Sequence, residues 1–503
     1  MRPAGGQPCS FTASGGLSYD LHATKPSRIG ANISALLGSQ LATWSMTLVW
    51  TLIVPRLLGP AQVSLLVLAW SASSLLAIMG GLASRTLLVK EIAARPEQGA
   101  RLLAVATVIR VACVPPCILL TFVYVRLGHF SAEQVLVLWL STGISAFLLL
   151  LEPLQAAFQA IERMQYLAYA EVINKAITTG VGIALVLVGF KGTALVGVLL
   201  VAGGVVLALS AFWIRPYFHF DWGIDWPVIR SMLSASMSYW AFAFFFTFYL
   251  WIDSAMLALL APPAVVGWYG VPTRLFGSLL FAPMIISTAW LPRLAAAYAE
   301  SPRQLKAIAA NPVELVLTLI LPLSVGAALT AAPLIRLLYG DAFLPAVPVF
   351  VILAFTIVPM SLNMIVYQIM VASNRQTIWT AALAGACVVN PALNFVLIRY
   401  AQAQLGNGAI GAAISLLLTE LCIAMLAIVL VRQFLEFRAA RRLLRGALAT
   451  LGMAAIVGVA VRFGFVPAAL AGAISFAALA LLLGVISADE LRGIRLRVQQ
   501  KLA

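Results

Sequence analysis

Apolar runs of about twenty residues, the length a helix needs to cross a hydrocarbon layer, alternate with short charged or Gly/Pro-rich breaks along almost the whole chain. Fourteen such segments are legible, numbered here as spans 1 to 14: Ile33–Val54, Val63–Ala83, Leu102–Val125, Gln134–Leu151, Ile173–Phe190, Thr193–Ile214, Ser236–Ala261, Val265–Trp290, Val313–Leu334, Val347–Val371, Ile378–Ile398, Ala409–Val431, Leu444–Val461 and Pro467–Ile486. Backbone polar groups in lipid need partners within their own segment, so the pattern predicts an all-α polytopic membrane bundle.

Basic residues collect on the cytoplasmic side of such proteins, which allows a test of orientation. With the N-terminus inside, the inner segments hold 24 of the 32 Lys and Arg, counting Lys175 at the inner edge of span 5. The outer segments hold six (Arg56, Arg126, Lys191, Arg336, Arg399 and Arg462), and Arg110 and Arg274 remain within spans. The bias persists across every turn and would be scrambled by one missed helix. Both termini are expected in the cytoplasm.

Local sequences recur in order. Pro96-Glu97-Gln98 returns as Pro302-Arg303-Gln304, and Arg126-Leu127-Gly128 is echoed by Arg336 to Gly340. Ala160 to Gln165 aligns with Ala372 to Gln376, and Gly192 to Gly197 resembles Gly406 to Gly411. The common order predicts two six-helix lobes in parallel repeat, residues 31–215 and 216–432, with two additional helices and a cytoplasmic tail in 433–503. Residues 1–30 read as a polar, disordered cytoplasmic tail with no apolar core, and so not as a cleavable signal. Parallel repeats place the substrate between their halves.

Composition narrows the class further. The chain of 503 residues is 62% hydrophobic and 10% charged, with a mean hydropathy of +1.02, whereas soluble domains carry about a quarter charged residues. The net charge of +15 would suggest nucleic acid in a soluble protein; topology accounts for it here, and no nucleic-acid partner is expected. The five cysteines give no disulfide framework, and Cys113 and Cys117, around Pro115-Pro116, read as packing residues. The three histidines are scattered, with no metal centre, no His-based triad, no P-loop and no cofactor in view. A polymerase or glycosyltransferase would need a sizeable extramembrane loop with catalytic groups, so the chain does not read as an enzyme.

Charges inside the spans carry the chemistry. Arg274 lies about eleven residues into span 8 and Asp253 at similar depth in span 7, where a charge costs roughly 2.5–3.5 kcal/mol on insertion scales. The tight Pro262-Pro263 turn sets the two at nearly one height. They read either as a salt bridge between neighbouring helices or as the wall of a polar cavity. Glu420, central in span 12, suits a proton carrier and equally suits a protonated acid bonded to another helix. Arg110 lies near enough to the cytoplasm to snorkel. Gln40, Asn363, Asn390 and Asn394 line a wet path or bond between helices. The aromatics Trp44, Trp50, Trp70, Tyr239, Trp240, Tyr249 and Trp251 suit either sugar stacking or interfacial anchoring. Pro272 and Pro283 predict a bend in span 8 beside the charge.

The run Pro55-Arg56-Leu57-Leu58-Gly59-Pro60 resembles a turn of the polysaccharide repeat-unit flippases (Wzx-type) of the multidrug/oligosaccharidyl-lipid/polysaccharide exporter (MOP) superfamily. The likeness continues through Asp253, Gly267-Trp268-Tyr269, Arg274-Leu275, Leu291-Pro292-Arg293-Leu294, Leu338-Tyr339-Gly340, Phe343-Leu344-Pro345-Ala346 and Arg375-Gln376. Most Wzx-type proteins look like twelve-helix chains and the lipid II flippases have fourteen. The resemblance implies a polyprenyl-diphosphate-linked oligosaccharide moved from the cytoplasmic to the periplasmic leaflet of the bacterial inner membrane by alternating access. A polysaccharide polymerase and chain-length machinery are the candidate protein partners.

It further implies that Arg274 is a central-cavity arginine that pairs with the diphosphate, its planar fork matching phosphate oxygens. Asp253 would hold that arginine when the site is empty. Arg56 and Arg85 match basic positions nearer the cavity rims, and Glu420 and Asp253 are the candidates for ion or proton coupling. The alternative within the superfamily is a cation-coupled multidrug exporter, for which an acidic cavity would be expected.

Overall fold

The computed structural model describes residues 26–82, 84–218, 226–434 and 440–485. The expected tail before Pro26 and the last residues after Val485 lie outside the described residues. Among those described the chain is helical throughout, and thirteen continuous segments are long and apolar enough to cross a membrane. The first, Gly38–Met79, has 42 residues, about 63 Å as one helix against about 30 Å of hydrocarbon. It breaks at Gly59, whose φ of 73° only glycine adopts without strain, and Pro60 restarts the helix. The first arm follows span 5, with Gln40 donating to Glu171 and Trp50 packed on Gly182. The second arm returns, meeting Gly192 through Gln62 and Cys117 through Leu76. This segment is therefore spans 1 and 2, and all fourteen expected spans are present.

The repeat is visible in the backbone. Glu162 and Asn374, 212 positions apart in both sequence and repeat, are the non-glycine residues with positive φ among those described, at 57° and 58°. In each turn the next residue closes the helix in the same way: Arg163 N donates to Phe158 O at 2.9 Å and Arg375 N to Met370 O at 2.7 Å. Each of these arginines then lies over an aromatic ring that follows the sixth helix of its lobe, Tyr217 and Phe434, both at 5.4 Å. Two equal αL turns, each carrying an arginine with the same stacking job, are what parallel repeats produce.

Prolines break helices where their missing N–H demands it. Span 3 is interrupted at Cys113, ahead of Pro115 and Pro116. Span 8 runs Pro263–Leu279 and resumes at Phe281–Glu300; Pro283 cannot donate to Leu279. The expected bend thus falls just beyond Arg274. Several starts were set too late by hydropathy: the helices of spans 5, 7 and 9 begin at Met164, Trp226 and Pro302, because their polar first turns are helical. Lys175 therefore lies about three turns into its helix, not near its start.

The lobes meet along spans 2, 7 and 8. Near the basic end Trp240 Nε1 donates to Ile78 O at 2.9 Å. Toward the opposite end Tyr124 OH donates to Ala255 O at 2.7 Å. There span 8 packs backbone to backbone on span 2, since a Cβ at Gly267 would run into the Pro60 carbonyl and one at Gly270 into Val67. That end of the interface is shut.

Candidate functional site: an arginine between the lobes

A cavity of about 250 Å³ lies between the lobes, walled by Trp70 of span 2, Trp251 and Asp253 of span 7, Tyr269 and Arg274 of span 8, and Leu416 of span 12. Spans 7 and 8, joined by the short Ala261-Pro262 turn, bring Asp253 and Arg274 to its wall. The two do not pair. Asp253 is buried and held by two other donors: Tyr269 OH donates to Oδ2 at 2.9 Å and Asn394 Nδ2 to Oδ1 at 2.6 Å. Asn394 Nδ2 also reaches Asn390 Oδ1 at 2.8 Å. Ion pairs such as Arg110–Glu152 and Arg336–Asp341 form elsewhere, and none links Asp253 to Arg274. The expectation that Asp253 holds Arg274 is therefore corrected. A carboxylate with two good donors on spans 8 and 11 gains nothing by leaving them for a partner that would have to turn away from the cavity.

Arg274 is half-buried. Its guanidinium carbon lies 3.6 Å from the centroid of the Trp70 ring, across the lobe interface. A cation–π contact steadies the group, worth about 2 kcal/mol when desolvated, and neutralises none of its charge. Trp70 is thus given over to an arginine rather than offered to a sugar. Trp44 sits edge-on to Phe281 at 5.1 Å, Trp50 fills the space above Gly182 and Trp240 bonds Ile78. The indoles that sequence left open between stacking and anchoring mostly lock helices together.

Glu420 occupies a second, smaller cavity of about 130 Å³ in the C-terminal lobe, lined by Phe242, Phe246, Tyr367 and Trp379. Its carboxyl is buried and receives Tyr249 OH at 2.8 Å and Asn363 Nδ2 at 2.7 Å. Tyr249 borders both cavities. Asp253 and Glu420 are each held by one tyrosine and one asparagine, and Asn363 Oδ1, Asn390 Nδ2 and Asn394 Oδ1 are buried with no hydrogen-bond partner among the described residues. In this network Asn363 and Asn394 bond between helices, and Asn390 accepts from Asn394. Sequence gave no sign that Tyr249 and Tyr269 would be the donors, because a tyrosine in a span ordinarily reads as an anchor.

The remaining basic positions are engaged elsewhere. Arg85 opens a short helix, Arg85–Ala94, capped by Ser84; its side chain donates to Gln159 at 3.2 Å and Gln155 at 3.3 Å near the end of the span 4 helix, Ala132–Ala160. Arg56 is exposed at the opposite end, where Nη1 meets Leu337 O at 3.5 Å. Neither Arg56 nor Arg85 lines the cavity that holds Arg274. Arg110 does not snorkel: it is fully buried and pairs with Glu152 at 2.6 Å.

A family model described as "Polysaccharide biosynthesis protein" matches residues 53–348. The chain belongs to that family. No curated protein matches it in sequence. Among solved structures it is similar to one titled "Lipid II flippase MurJ, inward closed conformation", with TM-score 0.72 and 12% identity over 90% of this chain and 98% of that one. A second, an inward-facing multidrug resistance MATE family transporter of the MOP superfamily, gives TM-score 0.60 and 14% identity over 77% of this chain and 94% of that one. At such identities the likeness is one of fold, and the fold is that of the MOP exporters. The family is one of polysaccharide biosynthesis, and the fold is one shared with a lipid flippase and a multidrug transporter.

Proposed function

We propose that the protein flips polyprenyl-diphosphate-linked oligosaccharide repeat units from the cytoplasmic to the periplasmic leaflet of the bacterial inner membrane, with both termini in the cytoplasm. One observation carries this reading. Arg274 keeps a full positive charge, without a carboxylate partner among the described residues, on the wall of a cavity between two lobes. A cation so placed is costly in a membrane unless an anion visits it, and a diphosphate fits its planar fork. The lobes are shut at one end by Gly267 on Pro60, as alternating access requires of one of its states. Glu420 and Asp253 are the acids through which an ion or proton would be coupled, and a polymerase would take the flipped unit.

The multidrug reading draws on a different observation, the acid Glu420 within an aromatic cavity. Its carboxyl is already occupied by Tyr249 and Asn363, so the acid is not presented to a cationic drug. The flippase reading is favoured. Its test is chemical: in a strain lacking the protein, the glycan-bearing polyprenyl diphosphate should accumulate in the cytoplasmic leaflet, and purified protein in vesicles should move it across. Efflux of cationic dyes without movement of that lipid would support the rival instead.

A further inference from the structure

Glu420 and Arg274 stand in different cavities that share a wall. Tyr249, Leu250 and Met360 line both. Leu250 and Met360 are apolar, so the polar group of that wall is the Tyr249 hydroxyl, which donates to Glu420 Oε1 at 2.8 Å. The second carboxyl oxygen is held differently. Asn363 Nδ2 donates to Glu420 Oε2 at 2.7 Å and to the backbone carbonyl of Glu420 at 3.1 Å. A carbonyl accepts and never donates, so this amide is pinned as a donor. Turning it over would set Asn363 Oδ1 against the Glu420 carbonyl.

A proton bound by Glu420 therefore cannot sit on Oε2, where it would meet an N–H. It sits on Oε1, facing Tyr249. A tyrosine hydroxyl accepts as well as donates. With Glu420 ionised, the Tyr249 hydrogen is committed to Oε1. With Glu420 protonated, Oε1–H donates to the Tyr249 oxygen, and the Tyr249 hydrogen has to turn away. The other titratable and charged groups bordering the two cavities are Asp253 on span 7, Tyr269 and Arg274 on span 8 and Tyr367 on span 10. Asp253 lies one turn after Tyr249, and its oxygens already receive Tyr269 and Asn394. Arg274 rests on Trp70, and Cys387 of span 11 donates to Phe245 O. The change at Glu420 thus passes to Tyr249.

We propose that Tyr249 is a positioning residue that carries the protonation state of Glu420 to the cavity between the lobes. A proton on Glu420 turns the Tyr249 hydrogen toward that cavity, where it adds a donor for the bound lipid, and loss of the proton withdraws it. This rests on the flippase reading given above, with Glu420 as its coupling acid. One proton enters or leaves at Oε1, no bond between heavy atoms changes, and the phenol keeps its own hydrogen throughout. Lipid affinity then follows the proton, because the ligand favours the state that offers it one more contact.

Two conservative variants should be locked in opposite states, which a merely structural tyrosine would not produce. In Glu420→Gln the amide oxygen faces Asn363, so the amide N–H donates to Tyr249 as the protonated acid does. In Tyr249→Phe there is no hydrogen to turn. The full chain in lipid nanodiscs is titrated with a prenyl diphosphate and with the neutral prenol, from mildly acid to mildly alkaline pH. Titration of the probe itself is common to all proteins, so each affinity is compared with that of the double variant at the same pH. Wild type should bind the diphosphate about three- to tenfold more tightly than the double variant at acid pH, the contribution of one hydrogen bond, and equally at alkaline pH. Glu420→Gln should keep the tighter binding at every pH, and Tyr249→Phe should match the double variant throughout. A wild-type pH response surviving in Tyr249→Phe, or a shift of both single variants in the same direction, overturns the relay and leaves the flippase reading standing. Wild type that binds the diphosphate no better than the prenol overturns that reading too. Should Tyr249→Phe fail to insert, acid-minus-alkaline infrared difference spectra of wild type with ring-deuterated tyrosine serve instead. A tyrosine band that shifts with the carboxylic acid band, both lost in Glu420→Gln, supports the relay, and a carboxylic acid band without a tyrosine shift overturns it.

Discussion

The Arg274 guanidinium carbon lies 3.6 Å from the ring centroid of Trp70, so the charged group of the C-terminal lobe rests on an indole of the N-terminal lobe. The contact orients the cation across the lobe interface and leaves its charge for a ligand. Trp70→Ala should therefore lower glycan export about tenfold, the order of a desolvated cation–π contact, and Trp70→Phe should lower it less. Arg274→Ala should abolish export and Arg274→Lys restore part of it, since an ammonium cannot copy the fork. Export measured at matched expression checks each, and wild-type export by Trp70→Ala would make the stack incidental.

Asp253 and Arg274 border one cavity but act separately. Asp253→Ala leaves the Tyr269 hydroxyl and the Asn394 amide without their acceptor, and lost partners for buried polar groups cost about 1–3 kcal/mol. Arg274→Ala should give no relief. In a double-mutant cycle read by thermal unfolding in detergent, the coupling should stay within about 0.5 kcal/mol. A double variant more stable than Asp253→Ala would restore the ion pair that the hairpin geometry suggested.

Hydropathy was sufficient to find the spans because lipid imposes a minimum apolar length on every crossing, and the sequence echoes pointed to the repeat because its turns need particular residues, as at Glu162 and Asn374. Hydropathy failed at Lys175: two charges in the first turns of a helix look like a loop when only apolarity is scored. The depth of Asp253 and Arg274 was legible from the short turn between their spans, but not their partners. Side-chain direction depends on helix rotation, and the competing donors Tyr269 and Asn394 lie 16 and 141 positions from Asp253. Nothing local marks Asn394 as the partner.

Orientation rests on the distribution of basic residues. Reporter fusions after Arg442 and after Lys501 should both report the cytoplasm, and a fusion in the Arg462–Phe465 turn should report the periplasm. A periplasmic signal at Lys501 would contradict the proposed position of the C-terminus.

Span 8 can lie against span 2 only because Gly267 and Gly270 have no side chains. Gly267→Ala meets the backbone carbonyl of Pro60, which cannot swing aside, whereas Gly270→Ala meets the tip of Val67. Gly267→Ala should hold the lobes apart at that end, lengthening distances between spin labels on the outer ends of spans 2 and 8 and lowering export. The Gly270 variant should do so less, and Val67→Ala should restore it. Unchanged label distances in Gly267→Ala would show that this contact does not shut the interface.

The direction of transport needs a source of energy, and the chain has no P-loop with which to use ATP. A diphosphate carries roughly two negative charges, and each charge moved across 100 mV is worth about 2.3 kcal/mol. With the cell interior negative, outward movement of the group is favoured by about 4–5 kcal/mol per 100 mV. The cationic wall lowers the cost of taking that anion through a medium of low dielectric. Collapsing the membrane potential in vesicles should therefore slow net outward flipping even with the pH gradient kept. Glu420 separates the two forces. Its carboxyl sits within the C-terminal lobe, bonded to Tyr249 and Asn363, so Glu420→Gln preserves the shape of the group while removing its proton chemistry. If a proton moves with each cycle, that variant should lose its response to the pH gradient and keep its response to potential. Flipping that ignores potential in wild type would exclude the electrophoretic drive, leaving direction to exchange with another ion or to removal of the product by a polymerase.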